Sequence, residues 1–213
     1  MKIGLVGYGV VGTAIGRMVS SCADHEVIVF DPFQPRFCDP SRRDAINSCD
    51  LVFLSVPTPS NDRGCDLSVV DESAYWIKAP LSIRSTVIPG TVERLTAVTG
   101  NTKIAFSPEY LGERQFHRWR EESDCGFLIV GGPSSVFELS RALYDSCLNR
   151  RLRYYHTSPR TAELCKYMEN CFLATKVAFV NQFFDIAEAM DVDFQELRKL
   201  WLGILGWVNP TLT

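Results

Sequence analysis

Short apolar runs alternate with helix-spaced segments through the first two thirds of the chain. Runs such as Ile3 to Val6, Val27 to Phe30 and Leu51 to Leu54 are apolar at successive rather than alternate positions. Their alternation with helical patterns is the signature of a parallel sheet with crossover helices. It predicts strands over 2–7, 26–30, 51–55, 82–86, 103–107 and 127–131, with a shorter one near 153–156. Helical spacing fills about 10–22, 67–78, 91–98 and 134–148. Strand and helix in regular alternation imply an α/β fold, a doubly wound parallel sheet with crossover helices. The Pro-, Arg- and Asp-rich stretch 32–48 reads as a surface loop holding one short helix, and the charged stretch 112–125 as a mobile segment over a site.

After Pro159 the pattern changes. Residues 160–190 carry one long helical pattern without Gly or Pro. Leu164, Met168, Phe172, Val177, Phe179, Phe183 and Phe184 make it apolar on several sides, so it has to be buried between partners. This sets the expected boundary near 158, with a nucleotide-binding domain over 1–158 and, over 159–213, a long central helix and the truncated start of a helical domain. Asp193 and Glu196 have the spacing of a capping box at the head of a last, short helix. Trp201, Leu202, Ile204, Leu205, Trp207 and Val208 then crowd into an apolar cluster that calls for cover by a second subunit or by more chain.

Composition narrows the function classes. The chain of 213 residues is 46% hydrophobic and 22% charged, with a net charge of −3. That balance gives no reason to expect nucleic acid or an anionic membrane as partner. No apolar run reaches membrane-spanning length. Eight cysteines without C-x-x-C pairs, and no signal peptide ahead of Lys2-Ile3, suggest free thiols and a cytoplasmic location. His25, His117 and His156 are isolated, and no metal site is expected.

The first strand runs into Gly7-Tyr8-Gly9-Val10-Val11-Gly12, and Asp31 closes the second. This is a G-x-G-x-x-G turn between strand and helix, the dinucleotide-binding signature of a Rossmann-type sheet. Gly7 allows the tight turn, Gly9 admits a pyrophosphate to the backbone, and Gly12 lets the helix pack on the sheet. The helix N-terminus offers unpaired N–H groups to the phosphates. A carboxylate at Asp31 accepts ribose hydroxyls and repels a 2′-phosphate. Two like charges 4 Å apart cost about 4 kcal/mol near a surface, which favours NAD over NADP. Arg36, Arg42 and Arg43 soften that preference if they fold back.

Further candidates follow later strands, where open parallel sheets bind ligands. Val56-Pro57-Thr58-Pro59 fits a wall of the nicotinamide side, or a plain loop. Ser85 and Thr86 lie at a strand end and suit hydrogen bonds to an amide or a water; Thr91 fits a helix N-cap. Glu109 and Glu113 are spaced to share a helical face, and fit either a proton-transfer pair or two solvated acids. Lys166, Asn170 and Asn181 share one stripe of the long helix. They suit stabilisation of a reacting alcohol's oxygen, or equally a satisfied polar network.

GYGVVG, Asp31, VPTP, STVIPGT, SPEYLGE and K-Y-M-E-N with Asn181 occur in order from Lys2 onward. The set resembles the UDP-glucose/GDP-mannose dehydrogenase family, which oxidises C6 of a nucleotide-linked sugar from alcohol to acid with two NAD. The resemblance implies that Gly7, Tyr8, Gly9, Val10, Val11, Gly12 and Asp31 bind NAD, with Val56, Pro57, Thr58, Ser85 and Thr86 near the nicotinamide or the catalytic water. It implies that Glu109 and Thr86 assist hydrolysis, that Glu113 lies close to cofactor and substrate, and that Lys166 and Asn170 hold the C6 oxygen. It also implies a nucleotide-sugar substrate and a homodimer joined through the 160–190 helix.

Departures from the family pattern are equally specific. Its nucleophilic cysteine lies in a glycine-rich loop beyond the long helix, and the chain reaches Thr213 without it. Arg114 stands where a Gly is usual, and Gln182 where a Glu is common. The expectation is a chain that binds NAD but does not complete the four-electron oxidation alone, being cut from, or completed by, further polypeptide. A non-catalytic NAD-binding relative, and a short hydroxy-acid-type dehydrogenase using Lys166 and Asn170, remain alternatives.

Overall fold

The structure, a computed structural model, describes residues 1–62, 64–112 and 121–204. It divides into two compact units, Met1–Tyr167 and Met168–Thr213. In the first, strands β1 (Lys2–Val6), β2 (Glu26–Phe30), β3 (Leu51–Leu54), β6 (Leu81–Ile83), β7 (Ile104–Phe106), β8 (Phe127–Gly131) and β9 (Arg153–Thr157) form one sheet, ordered β2-β1-β3-β6-β7-β8-β9. Each overlaps its predicted span and lies within a residue or two of it, except that β6 ends three residues before the predicted 86. The short antiparallel pair β4 (Ser60–Asn61) and β5 (Gly64–Cys65) was not predicted; neither strand is long enough to show an alternation.

The sheet is parallel except at one junction, where β8 meets β7 antiparallel through Phe106 and Gly131. The connection between them spans residues 107–126, of which 107–112 and 121–126 are described.

Helices α1 (Val10–Ser20), α2 (Arg42–Asn47), α3 (Ser68–Trp76), α4 (Thr91–Thr99) and α5 (Ser134–Cys147) cover the sheet. Successive residues of β3 explain the unbroken apolar runs. Val52 and Leu54 pack with Ile46, Val70, Ala74, Val92 and Leu95, whereas Leu51 and Phe53 pack with Ile15, Val19, Val136 and Leu143. Each face thus has its own core, supplied by α2, α3 and α4 on one side and by α1 and α5 on the other.

Helix α6 runs from Pro159 to Ala189. Its first turns belong to the first unit: Ala162 joins the core of the α3 and α4 face. The carboxylate of Glu163 accepts hydrogen bonds from the N–H groups of Gly90 (2.6 Å) and Val92 (2.9 Å), satisfying orphan donors at the head of α4. Burial outweighs those bonds and raises the Glu163 carboxyl above its ordinary value.

The second unit consists of the rest of α6 and α7 (Phe194–Ile204). Asp193 accepts the N–H of Gln195 at 2.8 Å, the capping role expected of it. Phe184 meets Phe194 edge-on, and Phe179 lies against Trp201. Leu164 in the first unit, and Met168, Phe172, Val177, Phe179 and Phe183 in the second, are exposed in the single chain. Ile204 is exposed too, whereas Leu205, Trp207 and Val208 of the predicted cluster lie outside the described residues. No described helix is long and apolar enough to cross a membrane.

Candidate functional site

In the order β2-β1-β3, the chain leaves β1 in one direction and then returns to its other side. Sheets of this kind open a crevice at such a reversal, at the carboxyl ends of the strands. Here it measures about 510 Å³ and is lined by Gly7, Gly9, Val10, Val11, Asp31, Val56, Pro57, Thr58, Ser85, Thr86 and Glu109. Eleven positions drawn from five separate motifs therefore meet in one cavity.

The three glycines differ in what they permit. Gly7 has φ +84°, and a Cβ there would fall 2.3 Å from the Ser55 carbonyl oxygen. A Cβ on Gly12 would sit 2.1 Å from the Gly7 carbonyl oxygen, so α1 closes onto the turn only without one. Around Gly9 nothing lies within 4 Å, and its open face belongs to the crevice. Two glycines are required by protein packing, whereas the middle one faces open space in the crevice.

Asp31 is buried, and much of its carboxylate is committed to protein. One oxygen accepts the N–H of Tyr8 at 2.8 Å and, at 3.4 Å, the Gln34 amide; the other accepts the N–H of Phe33 at 2.9 Å. Gln34 also donates to the Tyr8 carbonyl at 2.7 Å. Asp31 thereby ties the glycine turn to the end of β2 while keeping a lone pair for a ribose hydroxyl. Tyr8 contributes this backbone link; its ring packs edge-on against Phe37, away from the lining. Of the nearby arginines, Arg36 and Arg42 lie over Phe37, whereas Arg43 lines the crevice over Phe30 and Trp76.

Ser85 locks the second wall. Its hydroxyl accepts the Val56 N–H at 2.8 Å and donates to the Val56 carbonyl at 2.7 Å, pinning the V-P-T-P loop against the end of β6. Thr91 donates to the Ile88 carbonyl, but the residue before α4 is Gly90 in the left-handed region. Thr91 therefore opens the helix rather than capping it.

Lys166 is buried on α6, its ammonium 3.7 Å from the Glu109 carboxylate and 4.8 Å above the Tyr110 ring. Glu109 lines the crevice, so the long helix delivers its cation to the edge of the dinucleotide cavity. Asn170 and Asn181 are exposed on later turns of α6. Glu113 lies outside the described residues.

The motifs alone do not reveal Arg84 and Glu122. Arg84 is buried just before Ser85 and lines the crevice. It donates to Glu122 at 2.6 Å and to the Ser107 hydroxyl at 3.0 Å, and Tyr144 also donates to Glu122. Burial opposes its charge, but Glu122, Tyr144 and Glu109 together hold Arg84 above its ordinary range. The available signal was a charged residue inside an apolar strand run. Glu122 falls in the stretch read as a mobile segment, but it is the buried first residue of a one-turn helix at Glu122–Asp124.

Three of the thiols are held in their neutral form. Burial pushes Cys49 up to about 11 and Cys147 up to about 12, and raises Cys125 as well, all away from the thiolate.

Residues 37–118 match the UDP-glucose/GDP-mannose dehydrogenase family, NAD binding domain, and residues 160–202 match the central domain of the same family. A UDP-glucose 6-dehydrogenase of Rickettsia typhi is 30% identical over 162 residues, which are 70% of this chain and 37% of the relative. The chain thus spans well under half that protein's length. A UDP-D-ManNAc dehydrogenase structure from Pyrococcus horikoshii superposes with a TM-score of 0.77 at 24% identity, over 94% of this chain and 57% of that one. A GDP-mannose dehydrogenase structure from Pseudomonas aeruginosa gives 0.74 at 22%, over 94% and 56%. These likenesses confirm the Rossmann-type fold. With both family domains matched in order along one polypeptide, the chain belongs to the UDP-glucose/GDP-mannose dehydrogenase family of NAD-dependent oxidoreductases.

Proposed function

We propose that the chain is the NAD-binding and alkoxide-stabilising portion of a nucleotide-sugar 6-dehydrogenase of the UDP-glucose type. The observation that carries this is the Lys166–Glu109 pair at the rim of the glycine-turn crevice. Gly7, Gly9 and Gly12, with the first N–H groups of α1 at Val10 and Val11, hold the pyrophosphate, and Asp31 the adenosine ribose. Val56, Pro57 and Thr58 wall the nicotinamide. NAD, when bound, supplies the hydride acceptor. Lys166 stabilises the developing negative charge on the C6 oxygen, with Asn170 helping to hold it. Ser85 orients the wall, and Thr86 and Glu109 position the water of the hydrolytic step. Glu113 completes the cofactor side.

None of the eight cysteines stands in the glycine-rich loop that carries the family's nucleophile. The 213-residue polypeptide therefore binds NAD without oxidising the sugar to its acid. Calorimetry with NAD, and with UDP- and GDP-sugars, tests this. Micromolar-range NAD binding supports the reading; no NAD affinity, or a sugar acid formed by this polypeptide alone, refutes it. The exposed apolar positions of α6 and the groove of about 440 Å³ between α6 and α7 support pairing with a second copy. Sedimentation showing a concentration-independent monomer would contradict that pairing.

A further inference from the structure

Away from the crevice, the fold gathers three soft donors that sequence spacing keeps apart. Cys22 follows the end of α1, His25 precedes β2, and Cys147 is the last residue of α5. Their ligand atoms all lie within 4.8 Å of one another, and all three residues are half-buried. They sit where β1 and β2 begin, the opposite end of the sheet from the dinucleotide cavity.

The surroundings prepare the imidazole. Ser146 Oγ gives its only proton to the Leu143 carbonyl at 2.8 Å. His25 Nε2 lies 2.6 Å from that hydroxyl oxygen, and Nδ1 lies 3.0 Å from the N-terminal ammonium of Met1. A ligating histidine is commonly oriented by a hydrogen bond at its other nitrogen; here a partner stands at each ring nitrogen, so a metal replaces one and the other orients the ring. Cys22 meanwhile donates to the Ser146 carbonyl at 3.0 Å, so one residue orients two of the three donors.

We propose that Cys22, His25 and Cys147 form a site for a zinc ion that staples the end of α1 to the end of α5. Two sulfurs and a nitrogen are a zinc donor set, with Zn–S near ~2.3 Å and Zn–N near ~2.0 Å, which requires the donors to close in by only a few tenths of an ångström to about an ångström. The fourth position falls to solvent. Binding exchanges the two thiol protons for the metal and involves no redox change.

The test uses the full chain, reduced and stripped of metal, titrated with cobalt(II) and then zinc(II). Expected are one equivalent bound, thiolate-to-cobalt charge-transfer and tetrahedral d–d bands, and displacement of cobalt by zinc. Cys22→Ser, Cys147→Ser and His25→Gln each weaken binding at least tenfold. Ser146→Ala, which removes the orienting hydrogen bond and no ligand, weakens it by about ten- to a hundredfold. Cys38→Ser, which alters an exposed thiol outside the cluster, leaves it unchanged. NAD affinity reports that each variant is folded. The proposal is overturned if folded wild-type chain shows no thiolate-to-cobalt band. It is equally overturned if the bands persist in the Cys22→Ser/Cys147→Ser double variant, or if mass spectrometry of anaerobically purified protein finds these two cysteines joined as a disulfide.

Discussion

Replacing Glu122 by Gln keeps the side chain's shape and one acceptor oxygen while removing its charge from beneath Arg84. The two groups are 2.6 Å apart, with side chains 2% and 5% exposed. At an effective dielectric of 20 their gross attraction is about 6 kcal/mol. Part survives in the variant, because the amide oxygen still accepts from Arg84, and part was always offset by desolvation. Removing one partner of a buried pair costs about 3–5 kcal/mol net. In a domain whose stability is about 5–15 kcal/mol this is roughly a fifth or more of the total, a fall of roughly 6–20 °C in Tm. Urea unfolding of wild type, Glu122→Gln and the double variant Arg84→Met/Glu122→Leu measures it. The double variant recovers most of the loss, because an apolar pair leaves no uncompensated charge. If Glu122→Gln lay within about 1 kcal/mol of wild type, or the double variant were less stable than the single, the pair would not be the buried charge system described here. Arg84 also lines the crevice, so NAD affinity is expected to fall alongside stability in the single variant.

Other substitutions probe the crevice and its frame. Gly12→Ala forces a methyl to 2.1 Å from the Gly7 carbonyl oxygen. It is expected to cost about 1–3 kcal/mol by overpacking and to abolish NAD binding by calorimetry; retained affinity would mean that the turn is not the cradle. Asp31→Ala removes the carboxylate that opposes a 2′-phosphate while Arg43 remains in the cavity. The NAD-to-NADP affinity ratio, followed by fluorescence titration, is expected to fall at least tenfold, and an unchanged ratio would remove Asp31 from cofactor selection. Tyr144→Phe deletes one donor to buried Glu122 and is expected to cost about 1.5–3 kcal/mol in the same urea series. Glu163 has a carboxyl raised above its unfolded value, so the folded state holds its proton more tightly. Its contribution to stability is therefore greatest below the ordinary carboxylate range, and is lost as pH rises through the raised value. Tm measured against pH should show that decline in wild type and a flatter profile in Glu163→Gln.

Local chemistry made most of the fold legible. Buried strands declared themselves by unbroken apolar runs, and the glycine turn and Asp31 located the crevice before any coordinates. What sequence hid was pairing between distant positions. The antiparallel junction at Phe106 and Gly131 joins two strands whose own apolar runs carry no mark of direction. Arg84 is charged inside a strand run, yet only the fold shows that Glu122 and Ser107 accept from it and that Tyr144 supports Glu122. Sequence likewise keeps Cys22 and His25 far from Cys147, and only the packing of α5 beside α1 brings the three together.

The Lys166–Glu109 contact explains how a helix belonging mainly to another unit serves the sheet's crevice. An ammonium with an 8% exposed side chain is costly without a counter-charge, and Glu109, at 19%, supplies one from the end of β7. The same carboxylate lines the cavity, so the group that makes the buried lysine tolerable also fixes it at the rim. A second tie, from the Glu163 carboxylate to the head of α4, holds the helix less than one turn earlier. Two glutamates, one from each side of the contact, thus anchor the start of α6 against the strand ends.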